Sequence, residues 1–194
     1  LLINLPPHIT STTGMDALTH AIEAYIGNAN TKKTKTYAIR ATKLIFESLK
    51  ESYDNPTDLF AREKMQQAAY DAGVAFTRAY VGYVHAIAHT LGGFYHIPHG
   101  LANAIILPIV LKEYGSKVYN KLAELYDKVY PFNGLDTTSK AKLFIKDIEK
   151  LNKELNITNN FSHLIKDEDI AETYKNYLIE IYLNILSSRR AKEY

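Results

Sequence analysis

The chain has 194 residues, 46% of them hydrophobic and 23% charged, which is enough for one globular domain with a buried core. Its net charge is only +2, without a basic block, which argues against nucleic acid as a main partner. It has no cysteine, so disulfides, thiolate metal ligands and cysteine nucleophiles are excluded, and any metal ion must be held by nitrogen and oxygen.

The first residues contain neither the basic region nor the small-residue cleavage site of a secretory signal. Because the chain does not begin with Met, we expect it to be a piece of a longer protein. The longest apolar run, residues 104–111, is much shorter than the about 20 residues that span a bilayer. We therefore expect a cytoplasmic protein without a membrane partner.

Residues 1–13 are predicted to be an irregular lead-in, because Pro6 and Pro7 disfavour helix there. One of the hydroxyl side chains at 11–13 is then expected to cap the first helix. That helix is predicted over residues 14–26, where apolar side chains recur at spacings of one, three and four.

The rest of the chain shows the same helical periodicity. It predicts helices over about 34–51, 58–79, 101–114, 116–130, 139–155 and 167–187. Pro108 is expected to kink its helix or shift its start, and Gly73 indicates close packing, since glycine costs about 1 kcal/mol in a helix. Runs with period-two alternation are missing. The sequence thus predicts an all-α multi-helix array without a sheet, one domain over residues 1–194.

The first candidate for chemistry is the pair Asp16 and His20. These residues lie four apart on a predicted helix, so their side chains lie on one face, one turn apart. A carboxylate and an imidazole in this arrangement can bind one ion. The plain alternative is a surface Asp–His pair, but the apolar stripe of the same segment flanks this face with core.

The second candidate is the segment from residue 85 to residue 99, which holds four of the seven histidines. His85 and His89 repeat the four-residue spacing, and His99 follows in the same segment. Gly92 and Gly93 are expected to break the helix and reverse the chain before His99. One Asp with three histidines suits Fe²⁺ or Zn²⁺, while the alternative for each single histidine is a hydrogen-bonded core imidazole.

The segments GMDALTHAIEAY, AGVAF and GYVHAIAHTLGGFYHIPHGLANAIILP resemble the iron-containing (group III) alcohol dehydrogenases in sequence and in order. The resemblance is strong over about residues 1–114 and fades beyond. In that family an N-terminal α/β domain binds NAD(P), and a C-terminal helical domain of the dehydroquinate synthase-like fold binds the metal. This chain resembles only the second domain.

The resemblance implies roles for individual residues. The implied metal ligands are Asp16, His20, His85 and His99. His89 matches a histidine beside the nicotinamide and the substrate, and it is the candidate catalytic and cofactor-side group. Phe76 and Val81 match positions at the cofactor end of the cleft, with plain helix packing as the alternative. His96 falls at a variable position and is expected to lie exposed in a loop.

The implied reaction is metal-assisted hydride transfer between a small alcohol or aldehyde and NAD or NADP, in a homo-oligomer, with a dimer as the expected state. No glycine-rich phosphate loop follows a strand, so we expect the nucleotide-binding domain to be absent here and this chain alone to be inactive. Two alternatives stay open. One is a non-catalytic metal-binding fragment, and the other is a helical metal-dependent hydrolase, although that class usually needs an adjacent His-Asp pair.

Overall fold

The computed structural model describes residues 2–131, 134–158 and 160–161. They form seven α-helices: α1 (Pro7–Ile26), α2 (Lys32–Asp54), α3 (Leu59–Ala79), α4 (Tyr83–Tyr95), α5 (His99–Tyr114), α6 (Ser116–Val129) and α7 (Thr137–Glu154). No strand occurs in these ranges, so the predicted all-α class is confirmed. The helix predicted over 167–187 lies outside the described residues. Within the described part, no helix is long and apolar enough to cross a membrane.

Helix α1 is the centre of the array, because it packs against α2, α3 and α5. Met15, Leu18 and Ile22 on this helix are completely buried. Burying an aliphatic side chain of this size contributes about 1.5–3 kcal/mol. Because α1 is packed on several sides, its position is fixed, and so are the starting positions of the side chains on its remaining face.

The helix starts seven residues earlier than the sequence indicated, so the prediction of an irregular lead-in is wrong for residues 7–13, whereas residues 2–6 are irregular as expected. Pro7 occupies the first turn of α1, where its missing N–H leaves no hydrogen bond unmade. The hydroxyl groups at 11–13 do not cap the helix. They donate to backbone carbonyls one turn earlier within it.

The expected glycine turn in the histidine segment is also wrong. Gly92 and Gly93 lie inside α4, which continues to Tyr95. The chain reverses instead at His96, whose φ of 54° is in the left-handed region, and α5 follows directly. His99 is consequently the first residue of a helix and not part of a loop.

Pro108 lies inside α5, whose start is not shifted by it. A proline has no N–H to donate to the carbonyl four residues earlier, which here belongs to Ala104. The side-chain amide of Asn152 in α7 donates to that carbonyl oxygen at 2.6 Å. Helix α7 therefore supplies the hydrogen bond that the proline removes.

Close helix packing occurs at Gly100 and not at Gly73. A Cβ atom at Gly73 would meet nothing within 4 Å, so the prediction of close packing at Gly73 is wrong. A Cβ atom at Gly100 would lie 2.5 Å from the carbonyl oxygen of Thr12 in α1. This contact brings the N-terminal end of α5, with His99, against α1.

Candidate metal centre

Three helices bring the four expected ligands together. Asp16 and His20 come from α1, His85 comes from α4, and His99 from the first position of α5. One ligand atom of each lies within 4.8 Å of the ligand atoms of the other three. The side chain of His85 is 1% exposed and that of His99 is 41% exposed, so the cluster opens on the His99 side.

The Asp16 carboxylate lies among the three imidazoles. Its Oδ1 atom is 3.5 Å from Nε2 of His85 and 3.4 Å from Nε2 of His99, and its Oδ2 atom is 3.8 Å from Nε2 of His20. Four ligands at about 2.1 Å from one ion in tetrahedral geometry lie about 3.4 Å from each other. These separations are those of ligands around a single small cation.

One buried nitrogen gives the strongest sign that the cluster fits an ion. Nε2 of His85 is buried and has no hydrogen-bond partner among the described residues. A buried polar atom left unpaired costs about 1–3 kcal/mol. A divalent cation beside Asp16 would coordinate this nitrogen, and the nitrogen and oxygen donors present suit Fe²⁺ or Zn²⁺.

The neighbouring charges shift the pKa values of the cluster's members in different directions. Burial would raise the pKa of Asp16, but His85, His20 and Asn103 lower it overall, so the group stays an anion. Burial, with the neighbouring charge of His85, lowers the pKa of His20 to about 4. Burial alone would lower the pKa of His85, but the neighbouring carboxylates of Asp16 and Glu23 raise it to about 9.

Asn103 is a member of the site that the sequence analysis missed. It is completely buried one turn after His99, and its Nδ2 atom donates to Oδ1 of Asp16 at 2.6 Å. The same Nδ2 atom is 3.0 Å from Nε2 of His99. Asn103 therefore holds the carboxylate in its place between the histidines. Its signal in the sequence is its four-residue spacing from His99.

Glu23 is the second residue that was missed. It lies on α1 three residues after His20 and is 3% exposed. Its Oε2 atom is 2.6 Å from Nδ1 of His85, on the side of the ring opposite to Asp16. The carboxylate also accepts hydrogen bonds from the backbone N–H groups of Gly82 and Val84.

A cavity of about 380 Å³ opens beside the three histidines. Phe76, Val81 and His89, the residues expected on the cofactor side, all line it. The ring of Phe76 stacks on that of His20 with centroids 4.0 Å apart, and His89 stacks on His99 at 5.0 Å. Val81 is 38% exposed.

His89 and His96 differ in their surroundings. Burial and the charges of His99 and His85 lower the pKa of His89, so that it is neutral at neutral pH. His96 is exposed at the C-terminal end of α4. Its exposed position agrees with the prediction from the sequence.

Residues 10–183 match the family described as the Fe-containing alcohol dehydrogenase family, C-terminal. The chain belongs to the iron-containing alcohol dehydrogenase family. The match continues well past residue 114, where the resemblance of the motifs was expected to fade.

Several named members of this family are similar to the chain. Alcohol dehydrogenase 4 of Saccharomyces cerevisiae is 41% identical over 169 residues, which are 87% of this chain and 44% of the relative. The NAD-dependent methanol dehydrogenase of Bacillus methanolicus is 38% identical over 183 residues, or 91% of this chain and 47% of the relative. The chain thus spans less than half the length of these relatives.

The fold is also similar to that of a solved oxidoreductase structure. The crystal structure of a 1,3-propanediol oxidoreductase superposes with a TM-score of 0.85 and 38% identity, over 91% of this chain and 47% of that chain. The predicted likeness to the helical C-terminal domain of this family is therefore confirmed.

Proposed function

We propose that the chain is the metal-binding half of an NAD(P)-dependent alcohol dehydrogenase, which transfers hydride between a small alcohol or aldehyde and the nicotinamide. The observation that carries this proposal is the convergence of the four donor atoms within 4.8 Å, with a buried, unpaired histidine nitrogen among them. The relatives that bear the names of methanol and 1,3-propanediol enzymes support a small alcohol as the substrate.

The proposed ligands are Asp16, His20, His85 and His99, with Fe²⁺ as the ion and Zn²⁺ as the alternative. When bound, the metal supplies a Lewis acid for the alcohol or carbonyl oxygen, and the nicotinamide supplies the redox chemistry. Asp16 would contribute a negative charge beside three imidazoles, which bind a metal ion in their neutral form, and this charge helps to retain a divalent cation. Phe76 covers one face of His20 and keeps water from that side of the ring.

His89 is the proposed proton-handling residue. It lines the cavity beside His99, and its lowered pKa leaves an imidazole nitrogen free to accept a proton at neutral pH. In alcohol oxidation this nitrogen takes the hydroxyl proton, directly or through one water molecule. In aldehyde reduction it returns the proton. Phe76 and Val81 are proposed to contact the nicotinamide at the same cavity.

A nucleotide-binding domain outside this chain is proposed to complete the site. The chain spans 44% and 47% of two relatives, which leaves room in them for a second domain of similar size. We further propose that the longer protein is a cytoplasmic homo-oligomer, with a dimer as the simplest state, because closed dimers are the commonest assemblies.

The test compares this chain with the longer protein in which the nucleotide-binding domain precedes it. Each is loaded with Fe²⁺ without oxygen and mixed with NADPH or NADH and a small aldehyde such as propanal, and the absorbance of the reduced cofactor is followed. The proposal expects oxidation by the longer protein only, and its loss after treatment with a chelator. A metal-loaded longer protein without activity toward small aldehydes or alcohols would favour a non-catalytic metal-binding role.

A further inference from the structure

Glu23 occupies an unusual position for a glutamate. Its side chain is buried in α1, and its ion-pair partner in the described part of the chain is His85, at 2.6 Å. A buried carboxylate is stable only when its oxygens are paired. Both oxygens of Glu23 are paired, and their partners among the described residues all belong to the short segment 82–85.

The first part of this arrangement concerns the start of α4. The helix begins after Gly82, which has no side chain with which to cap it. Oε2 of Glu23 accepts from the Gly82 N–H at 2.9 Å, and Oε1 accepts from the Val84 N–H at 2.8 Å. A negative charge at a helix N-terminus is favourable. Glu23 therefore caps α4 from a different helix.

The cap leaves space for no side chain at Gly82. A Cβ atom there would lie 2.7 Å from Oε1 of Glu23. The residues just before it, Tyr80 and Val81, line the cavity, and Tyr80 has a φ of 64°, which is uncommon for a residue with a side chain. The carboxylate thus holds the segment that forms the cavity wall.

The second part concerns the imidazole of His85. A carboxylate only accepts hydrogen bonds, so Nδ1 of His85 carries the proton in the contact with Glu23. In the neutral ring the lone pair is then on Nε2, which lies 3.5 Å from Oδ1 of Asp16. Metal-binding histidines are oriented in this way by carboxylates outside the coordination sphere.

We propose that Glu23 is a positioning residue with two linked effects: it fixes the orientation and tautomer of His85 for metal binding, and it holds the cavity wall at 80–84. The inference rests on the proposed metal site. Because one carboxylate does both, metal retention and the order of the cofactor-side wall depend on the same group.

The test uses the 194-residue chain, Co²⁺ as a spectroscopic probe and the variant Glu23→Gln. The amide keeps the length of the side chain but loses its negative charge. Its NH₂ group cannot accept a hydrogen bond, and it must face either the Val84 N–H or both the Gly82 N–H and Nδ1 of His85. We expect Co²⁺ affinity to fall by about 10–100-fold, the usual effect of losing such a partner. At saturating Co²⁺ the visible absorption bands should shift, and the Gly82 and Val84 amide protons should exchange faster.

The matched control is Asp71→Asn, which removes another fully buried carboxylate, on α3 and away from the cluster. This variant should keep the affinity and the spectrum of the wild type. If Glu23→Gln does not fold, as judged by circular dichroism, Glu23→Asp takes its place, since it keeps the charge but shortens the reach.

The outcomes separate the two proposals. A wild-type chain that binds Co²⁺, with a folded Glu23 variant of equal affinity, spectrum and amide exchange, overturns the role of Glu23 alone. A wild-type chain that binds no Co²⁺ contradicts the metal site. In that case the capping role is judged from amide hydrogen exchange in the Glu23 variant. Unchanged exchange rates at Gly82 and Val84 would overturn the capping role as well, whereas faster exchange would support it.

Discussion

Two buried polar clusters in this molecule are built in opposite ways. Between α2 and α3, Asp71 is completely buried, and both of its oxygens bind the guanidinium of Arg40, with a further hydrogen bond from Gln67. Between α1, α4 and α5, Nε2 of His85 and Oδ1 of Asn103 have no hydrogen-bond partner among the described residues. Because native proteins pair nearly all buried polar atoms, the first cluster is complete by itself and the second is suited to a ligand.

The largest effect is expected from removing a proposed metal ligand from the second cluster. His85→Ala and His99→Ala should each abolish stoichiometric metal binding. The loss should exceed the about 100-fold upper range seen for partners outside the coordination sphere. Metal analysis of the purified variants checks this, with circular dichroism to verify retained helicity. Full occupancy in both variants would refute the ligand assignment.

A substitution in the Asp71–Arg40 cluster should change the stability of the chain but not its metal content. Arg40→Met leaves the buried Asp71 carboxylate without its cation. Because the Arg40 side chain is half exposed, we expect the free energy of unfolding to fall by about 1–3 kcal/mol, less than for a fully buried pair. Urea denaturation measures this loss. Lys43→Met is the control, because its ion pair with Glu47 is exposed and worth at most about 1 kcal/mol. Loss of metal from the Arg40 variant would mean that the two clusters are not independent.

A third variant tests whether the close packing of α5 on α1 also positions the metal site. Gly100→Ala forces a methyl group against the Thr12 carbonyl, so we expect a loss of about 1–3 kcal/mol of stability and weaker metal binding through displacement of His99. Gly73→Ala, where the space is open, should instead stabilise the chain by about 0.5–1 kcal/mol. Thermal and urea unfolding of both variants provide the comparison. Equal stabilities would contradict the close approach of α5 to α1.

The smallest effect is the pH dependence of the metal-free chain. The pKa of His85 is raised from near 6.5 to about 9, so its contribution to stability is complete below about 6.5 and is lost as the pH rises to about 9. The pKa of His20 is lowered to about 4, so stability also falls as the pH drops below about 6.5. Denaturation of the chelator-treated chain should therefore show maximal stability near pH 6.5. The alkaline fall should disappear in His85→Gln, and its persistence would contradict this origin.

Local periodicity was sufficient to predict most of the helices, because apolar spacing reports the buried face directly. It was insufficient at Pro7 and at the pair Gly92 and Gly93. The proline is tolerated in the first turn, where no N–H is needed, and the cost of glycine in a helix is small beside the gain from tertiary packing.

The site shows the same division between local and distant information. The spacing of Asp16 and His20 is a local signal. The contacts of Glu23 with Gly82 and Val84 join residues 59 and 61 positions apart, and no pattern within α1 indicates them. Asn103 was missed because its helix was expected to begin after His99, which hid their four-residue spacing.

Asp16, His20, His85 and His99 are proposed to hold one divalent metal ion. Anomalous X-ray diffraction at the iron edge, from crystals of the chain loaded with one equivalent of Fe²⁺, tests this proposal most directly. We expect a single peak about 2.1 Å from a carboxylate oxygen of Asp16 and from one nitrogen of each histidine. A peak at other residues, or no peak between these four, would contradict the assignment of these ligands.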